Sequence, residues 1–406
     1  MESTELETKT NGTAIPKGIR DVIFKYRFES FLKSHGKPFS GDTVSRVEQQ
    51  INDNPYLRSS LDEFVVQEVS NGKNRQVFLC DFSIESLKIL GSTKNVRDRL
   101  ASNGFNNTDF NNLLVDKDFE NKELVYLNIV ECMDGNPERI TLSFINHETL
   151  ENETDDGVVK VDNFIYIWID IYPNHQYLQI KSRPYAGNNF MTINRSPNLF
   201  LHYYDLLKQV FDISFLDTTS EKEVLYKIFK HLTEKAEEPY RNKVFEQNEA
   251  INKTTKKLTD LVGISNNKTP VDVPNRISRL LERSLILNDL DTYQAYDSKK
   301  LGIIDRIDFS DESGAKVNAN AQEEGIEVAD IYFDTRETID EQKQLNKIWV
   351  TWFMYSESEG TLKVYTSIEV LSNRITIFFL TGQIATKEVQ DYVLSLFSKF
   401  RNGEIS

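Results

Sequence analysis

The chain has 406 residues, of which 48 are basic and 63 acidic, for a net charge of −15; its 39% hydrophobic and 11% aromatic content supports a buried core and excludes a fibrous or wholly disordered chain. The acid excess excludes nonspecific coating of nucleic acid, because the summed field repels phosphate, while leaving room for a local basic site. With no run of about 18 apolar residues to span a bilayer and no basic, apolar leader in MESTELETKT, the sequence reads as a cytoplasmic protein without membrane association.

The first fifteen residues are polar and unpatterned, and order is expected from Pro16. Arg20 to His35 carries an apolar stripe (Ile23, Phe24, Phe28, Phe31, Leu32) that predicts a helix ended by Gly36 and Pro38, and a second short helix is expected over Asp42 to Ile51. Phe64 to Val69 and Gln76 to Cys80 read as strands joined through Asn71-Gly72. Helical patterns return at Ser83 to Leu90, Lys94 to Ala101 and Thr108 to Val115.

A meander is predicted next, from Leu124 to Cys132 and Arg139 to Ile145 around Asp134-Gly135, followed by an exposed acidic loop over Asn146 to Gly157. Ile165 to Pro184 is the most legible stretch. A turn at Asn174-His175, flanked by Pro173 and Gln176, pairs residues whose numbers sum to 349. One face then collects Ile165, Ile167, Ile169, Ile171, Leu178 and Ile180, and the other Tyr166, Trp168, Asp170, Tyr172, Tyr177, Gln179, Lys181 and Arg183, with Trp168 opposite Lys181 and Tyr166 opposite Arg183.

From Ser220 the period becomes helical: a capping-box spacing of Ser220 and Glu223 precedes a Val224, Leu225, Ile228, Phe229, Leu232 stripe, and two more helices are expected over Asn242 to Val262 and Pro274 to Leu287. Asp289 to Leu345 holds 15 acidic and 6 basic residues, net −9, and its Asp308 to Gly325 part has too little apolar area to order itself, so it reads as a mobile linker. Strands are predicted at Lys347 to Tyr355, Leu362 to Ile368 and Arg374 to Leu380, and a helix from Thr386 with Val389, Tyr392, Val393, Leu396, Phe397 and Phe400 inward. The whole is an α+β chain, antiparallel sheets with a central helical block, in six segments: 1–15, 16–118, 119–215, 216–290, 291–345 and 346–406.

Three constellations bear on function. Asp21 to Ile51, with Phe28, Phe31, Leu32, Gly36, Phe39, Ser40, Gly41, Val44 and Val47 in helix, break, helix order, resembles a SAP motif, a unit of many DNA-associated proteins, over about 30 residues. The resemblance implies backbone contact through basic residues, and Pro16 to Gln50 does carry seven (Lys17, Arg20, Lys25, Arg27, Lys33, Lys37, Arg46) against four acidic, net +3; its alternative is an ordinary helical pair with a solvated face. The face bearing Tyr166, Trp168, Tyr172, Tyr177, Lys181 and Arg183 has the ring and cation mixture that stacks bases or anchors a protein, and is otherwise a core face. Asp170 with Gln179 and Lys181 has the order of a degenerate PD-(D/E)XK nuclease core, although an amide stands where a second carboxylate is wanted.

Cys80 and Cys132 are too few for a disulfide framework or a four-ligand zinc site, the five histidines are scattered, and no phosphate-binding glycine loop occurs, so no cofactor is expected. The function expected is therefore a non-catalytic binding or adaptor subunit with a protein partner, and nucleic acid as a second one, through the aromatic hairpin face and the basic residues Lys25, Arg27, Lys33, Lys37 and Arg46. The alternatives are the nuclease and a purely structural subunit of a bacterial or phage complex, with a role in defence among the readings.

Overall fold

In the computed structural model the chain is described over residues 14–154, 157–184, 196–264, 272–289, 292–293, 300–310, 316–320, 336, 338–356, 360–380 and 385–405. Residues 1–13 of the polar tail, and much of the acidic segment, lie outside these. The fold is α+β, every registered strand pair is antiparallel, and among the described residues no helix is long and apolar enough to cross a membrane. Contacts divide the chain into two compact units: Met1–Leu216 with Gln383–Gln390, and Asp217–Gly382 with Asp391–Ser406.

Unit 1 begins with four helices, α1 (Lys17–Val22), α2 (Lys25–Ser34), α3 (Thr43–Asp53) and α4 (Leu57–Gln67). Its strands β1 (Gln76–Asp81), β2 (Phe110–Asn111), β3 (Glu123–Glu131), β4 (Pro137–Thr154), β5 (Gly157–Tyr172) and β6 (Tyr177–Ser182) lie in the order β2-β3-β4-β5-β6-β1. Helices α5 (Leu87–Leu90), α6 (Thr93–Ser102) and α7 (Ser196–Phe211) complete it.

The predicted register holds. Trp168 pairs with Lys181, Ile169 with Ile180, Asp170 with Gln179, Ile171 with Leu178 and Tyr172 with Tyr177. The turn itself is a single 3₁₀ turn, Pro173–His175, closed by Gln176 in the left-handed region at φ 54°. The ladder stops at Trp168 and Lys181, so the expected Tyr166 to Arg183 pair does not form.

Period-2 alternation then loads two separate cores from one sheet. The even strand positions on β4 (Ile140, Leu142, Phe144) and the isoleucines of β5 pack with Phe78, Phe200, Tyr203, Leu207 and Phe211, so α7 covers this face. The opposite face, with Val125, Ile145, Tyr166 and Trp168, packs against Ile19, Phe28, Phe31, Leu32, Val47, Leu61 and Val65 of the four N-terminal helices. Of the two readings of the aromatic flank, the core face holds for Tyr166 and Trp168, which are 4% and 3% exposed, while Tyr172, Tyr177 and Arg183 are partly exposed.

Several local expectations are corrected. Phe64 to Val69 is not a strand: Leu57, Leu61, Val65 and Val69 bury at four-residue spacing, α4 runs to Gln67, and a π-helical turn, Glu68–Gly72, follows it. Asn71 makes no hairpin there, since its amide donates to the Gln67 carbonyl at 3.0 Å. Thr108 to Val115 holds the short strand β2 instead of a helix, because the Asn111 side chain accepts from the Leu113 N–H and turns the chain. Asn146 to Gly157 is no exposed loop over most of its length: β4 and β5 pair on through Leu150 and Val161 to Thr154 and Gly157, a ladder that backbone groups sustain whatever the side-chain charge. The first predicted helix breaks at Ile23 into α1 and α2, and Ile15, ahead of the expected start of order, is already buried, its N–H bonded to Glu48.

Unit 2 has helices α8 (Lys222–Phe245), α9 (Asn248–Leu261) and α10 (Val273–Asn288), and strands β7 (Gly302–Ser310), β8 (Lys316–Asn320), β9 (Lys347–Ser356), β10 (Gly360–Val370) and β11 (Ile375–Phe379) in the order β11-β10-β9-β7-β8. The last helix, α11 (Lys387–Arg401), belongs to unit 1 through Gln390 and to unit 2 from Asp391, where it buries Val393, Leu396, Phe397 and Phe400. The expected three-stranded terminal sheet therefore has five strands, and the expected linker supplies two of them. Ile303, Ile304, Ile307 and Phe309 are the apolar residues that anchor β7 on β9, and polar β8 needs only backbone partners from Arg306 to Ser310. The helix predicted over Asn242 to Val262 is divided: α8 continues through Pro239 to Phe245, and α9 starts after Gln247.

Because Trp168 is sealed, Trp168→Ala should cost about 3–5 kcal/mol in urea unfolding, comparable with a buried isoleucine such as Ile169→Ala at about 2–5 kcal/mol. A loss under about 1 kcal/mol would mean that the ring is wet.

Candidate aromatic and cationic surface

The residues singled out by sequence separate into a buried set and a surface set. At the centre of the buried set Asp170 and Lys181 stand on neighbouring strands, 5% and 7% exposed, with Lys181 Nζ 3.7 Å from Asp170 Oδ2. Thr141 donates to Asp170 Oδ1 at 2.8 Å, and Lys181 Nζ donates to Asn71 Oδ1 at 3.2 Å. Asn71 is carried there by the π-helical turn, which also places Asn74 to donate to the Tyr166 and Val69 carbonyls. Gln390 donates to the carbonyls of Asn71 and Asn74 from the other side. A buried charge pair needs hydrogen bonds beyond the pair itself, and Thr141 supplies one to Asp170 and Asn71 accepts one from Lys181.

That donor set does not fit a divalent cation. Asp170 is a lone carboxylate with one oxygen bonded by Thr141 and the other facing an ammonium, its partner across the ladder is the amide of Gln179, and among the described residues no three His, Cys, Asp or Glu side chains gather. No hydrolytic step is derived from it.

Tyr166 is fixed by α1. A Cβ on Gly18 would stand 2.9 Å from the Tyr166 hydroxyl and 3.2 Å from the Phe164 ring, so only glycine lets α1 approach this closely. Burial pushes the Tyr166 phenol well above its ordinary range. Trp168 lies 4.9 Å from the Tyr126 ring. Tyr172 and Tyr177 face each other across the ladder beside the turn, stacked at 4.9 Å and half-buried.

Of the basic residues, Arg27 is committed to Glu68, donating through Nε and Nη2 at 2.9 and 2.6 Å, and that carboxylate holds its guanidinium above its usual range. Arg46 bonds Gln49 and the Ser40 carbonyl within the α2–α3 connection. Lys37 lies over the exposed ring of Tyr56 at 5.8 Å, and Lys25 and Lys33 are exposed on α2.

Arg183 belongs to a surface that the sequence did not reveal. Phe24 and Tyr26, 40% and 50% exposed, stack at 5.9 Å, and Lys73 Nζ stands 4.5 Å over the Phe24 ring while donating to the Asp21 carbonyl. Partial burial and the neighbouring Arg183 charge together lower the Lys73 ammonium to about 8. Arg183 is lowered as well, by burial and by Arg75, with Asp21 the opposing influence on both. Lys73 and Arg183 therefore share the influence of Asp21, Arg75 adds to the positive charge around Arg183, and Lys73 stands over the stacked pair of rings, with exposed Lys25 between those rings in sequence. Lys73 and Arg75 sit in NGKNR, which reads as a turn, and Arg183 lies about a hundred residues further on, so proximity alone unites them.

The chain matches no protein-family model and no curated protein sequence.

Asp170→Ala removes one partner of the buried pair and should cost about 3–5 kcal/mol, measured by chemical denaturation. Asp170→Leu with Lys181→Met, which removes both charges, should cost clearly less than the single change; additive losses would show that the two groups are uncoupled.

Proposed function

We propose that the chain is a non-catalytic binding subunit that engages a protein partner, and nucleic acid with it, through the N-terminal helices and the Arg183 end of β6. The observation that carries this reading is Lys73 set over the exposed Phe24 ring, itself stacked on Tyr26, with Arg183 close enough to Lys73 to repel it. Burial first and a neighbouring cation second lower both Lys73 and Arg183; an anion brought beside them offsets that repulsion, and flat exposed rings offer a stacking platform beside it. The SAP-like order of α2 and α3 points the same way. Tyr166 and Trp168 take no part in this contact, since both are interior.

In a gel-shift titration at about 50 mM salt, a single-stranded oligonucleotide should be retarded, and the affinity should fall steeply as salt rises. Lys73→Glu or Arg183→Glu should weaken binding by about tenfold or more, whereas Trp168→Phe should leave it unchanged. Absence of retardation at low salt removes the nucleic-acid half, and a photoreactive residue at Tyr26 that crosslinks no protein in the native host removes the other.

Affinity should also decline as pH rises through about 8, where Lys73 loses its proton, and Lys73→Arg should abolish that step. The sign for stability is opposite: folded Lys73 releases its proton near 8 and the unfolded side chain near 10.5, so the unfolded state holds more protons between these values and folding gains as pH climbs across that window.

A further inference from the structure

An amphipathic helix normally turns its apolar stripe inward. Two successive helices of unit 2 do the reverse. Along α9 the buried positions are Ile251, Thr255 and Thr259, while Leu258, Leu261 and the adjoining Val262 are 52%, 82% and 70% exposed. On α10 the one buried residue is Ile286. Beside it lies Glu282, whose carboxyl is pushed up by burial and which senses Arg241 and Glu237 of α8 and Arg336. With 3.6 residues per turn, Leu280, Leu281 and Leu287 lie about 100–140° around the axis from Ile286, and they are 59%, 42% and 43% exposed. Glu282 thus looks toward an ionic network centred on α8, in which Arg241 donates to Glu237 at 2.9 Å and Arg336 donates to the same carboxylate. The apolar cluster that α10 shares with α8 is correspondingly thin: Ala236, Tyr240, Ile286 and Tyr293, with Leu285 against them.

Six large apolar side chains on two neighbouring helices form the kind of surface that marks a protein contact. Charge then narrows the occupant. Helices α9 and α10 carry six basic residues (Lys253, Lys256, Lys257, Arg276, Arg279, Arg283) against three acidic (Glu249, Asp260, Glu282), net +3 in a chain of net −15. Lys253, Lys256 and Lys257 are exposed along α9, and Arg276 on α10. A second copy would set the same positive surface against itself, and nucleic acid would leave the leucines uncovered.

We infer that the outward face of α9 and α10 docks an amphipathic helix of another protein, with a leucine-type stripe bounded by Asp and Glu. Helices of 14 and 16 residues at 1.5 Å per residue offer a track of about 21–24 Å, which suits a partner of four turns. The leucine stripe fills the apolar track and the acidic flanks meet the lysines, in the helix-in-groove manner. This surface is separate in the chain from the Phe24 and Lys73 surface, and neither reading needs the other.

The test uses the full chain and two fluorescent 18-residue helical peptides with the same leucine stripe, one flanked by Glu and one by Lys, followed by anisotropy. The Glu-flanked peptide should bind at least about tenfold more tightly, and binding should fall about tenfold with Leu280→Ser/Leu287→Ser and with Lys256→Glu/Lys257→Glu. The substituted side chains are exposed, so an unchanged circular dichroism melt shows that folding is intact. Equal binding of both peptides, or indifference to the leucine changes, overturns the inference. So does sedimentation with phosphatidylglycerol vesicles that depends on Leu280 and Leu287, which would make the face a lipid surface, or concentration-dependent dimerisation in the ultracentrifuge that the same changes abolish. A failure here leaves the oligonucleotide experiment unaffected, because the residues altered are different.

Discussion

The organisation of unit 1 depends on one ribbon, β5 and β6, having two dry faces. Because successive side chains point to opposite sides, a single register decides both interiors at once: isoleucines on one side with α7, and Tyr166, Trp168, Asp170 and Lys181 on the other with the N-terminal helices. The second interior is an unusual mixture of rings and an ion pair. The ion pair is tolerable because Thr141 in the sheet and Asn71 in the π-helical turn each bond one of its members, so that turn and sheet specify one another.

The register was legible in the sequence because alternation and turn chemistry are local. Which face stayed wet was not, because that is decided by helices more than a hundred residues away, and an aromatic and cationic strand looks the same whether it meets solvent or a helix with a buried amide. Phe64 to Val69 misled for a related reason: a short apolar run satisfies both a strand and one side of a helix, and the four-residue spacing that decides it begins upstream at Leu57. The polar strand β8 and the outer ends of β4 and β5 were missed because ladder bonds are made by backbone, on which composition has little to say. The Lys73 surface was the hardest to foresee. Its parts come from α1, α2, the turn before β1 and the end of β6.

Charge placement adds a theme that totals conceal. The chain is strongly acidic, yet Pro16 to Gln50 carries net +3, and so do α9 and α10 together. Both positive regions coincide with exposed apolar or aromatic side chains, Phe24 and Tyr26 in one and Leu258, Leu261, Leu280 and Leu287 in the other. Exposed apolar side chains set among cations are the kind of area that marks a contact surface, and the two proposed contacts rest on these two regions.

The double burial of β5 also constrains how this chain can change in length over evolutionary time. One residue inserted within Ile165 to Ile171 would exchange the destinations of everything beyond it, sending Trp168-type side chains toward α7 and isoleucines toward Asn71, whereas two inserted residues would restore parity. Related chains, when aligned, should therefore keep this span at constant length or vary it in even steps, while indels of any size collect elsewhere.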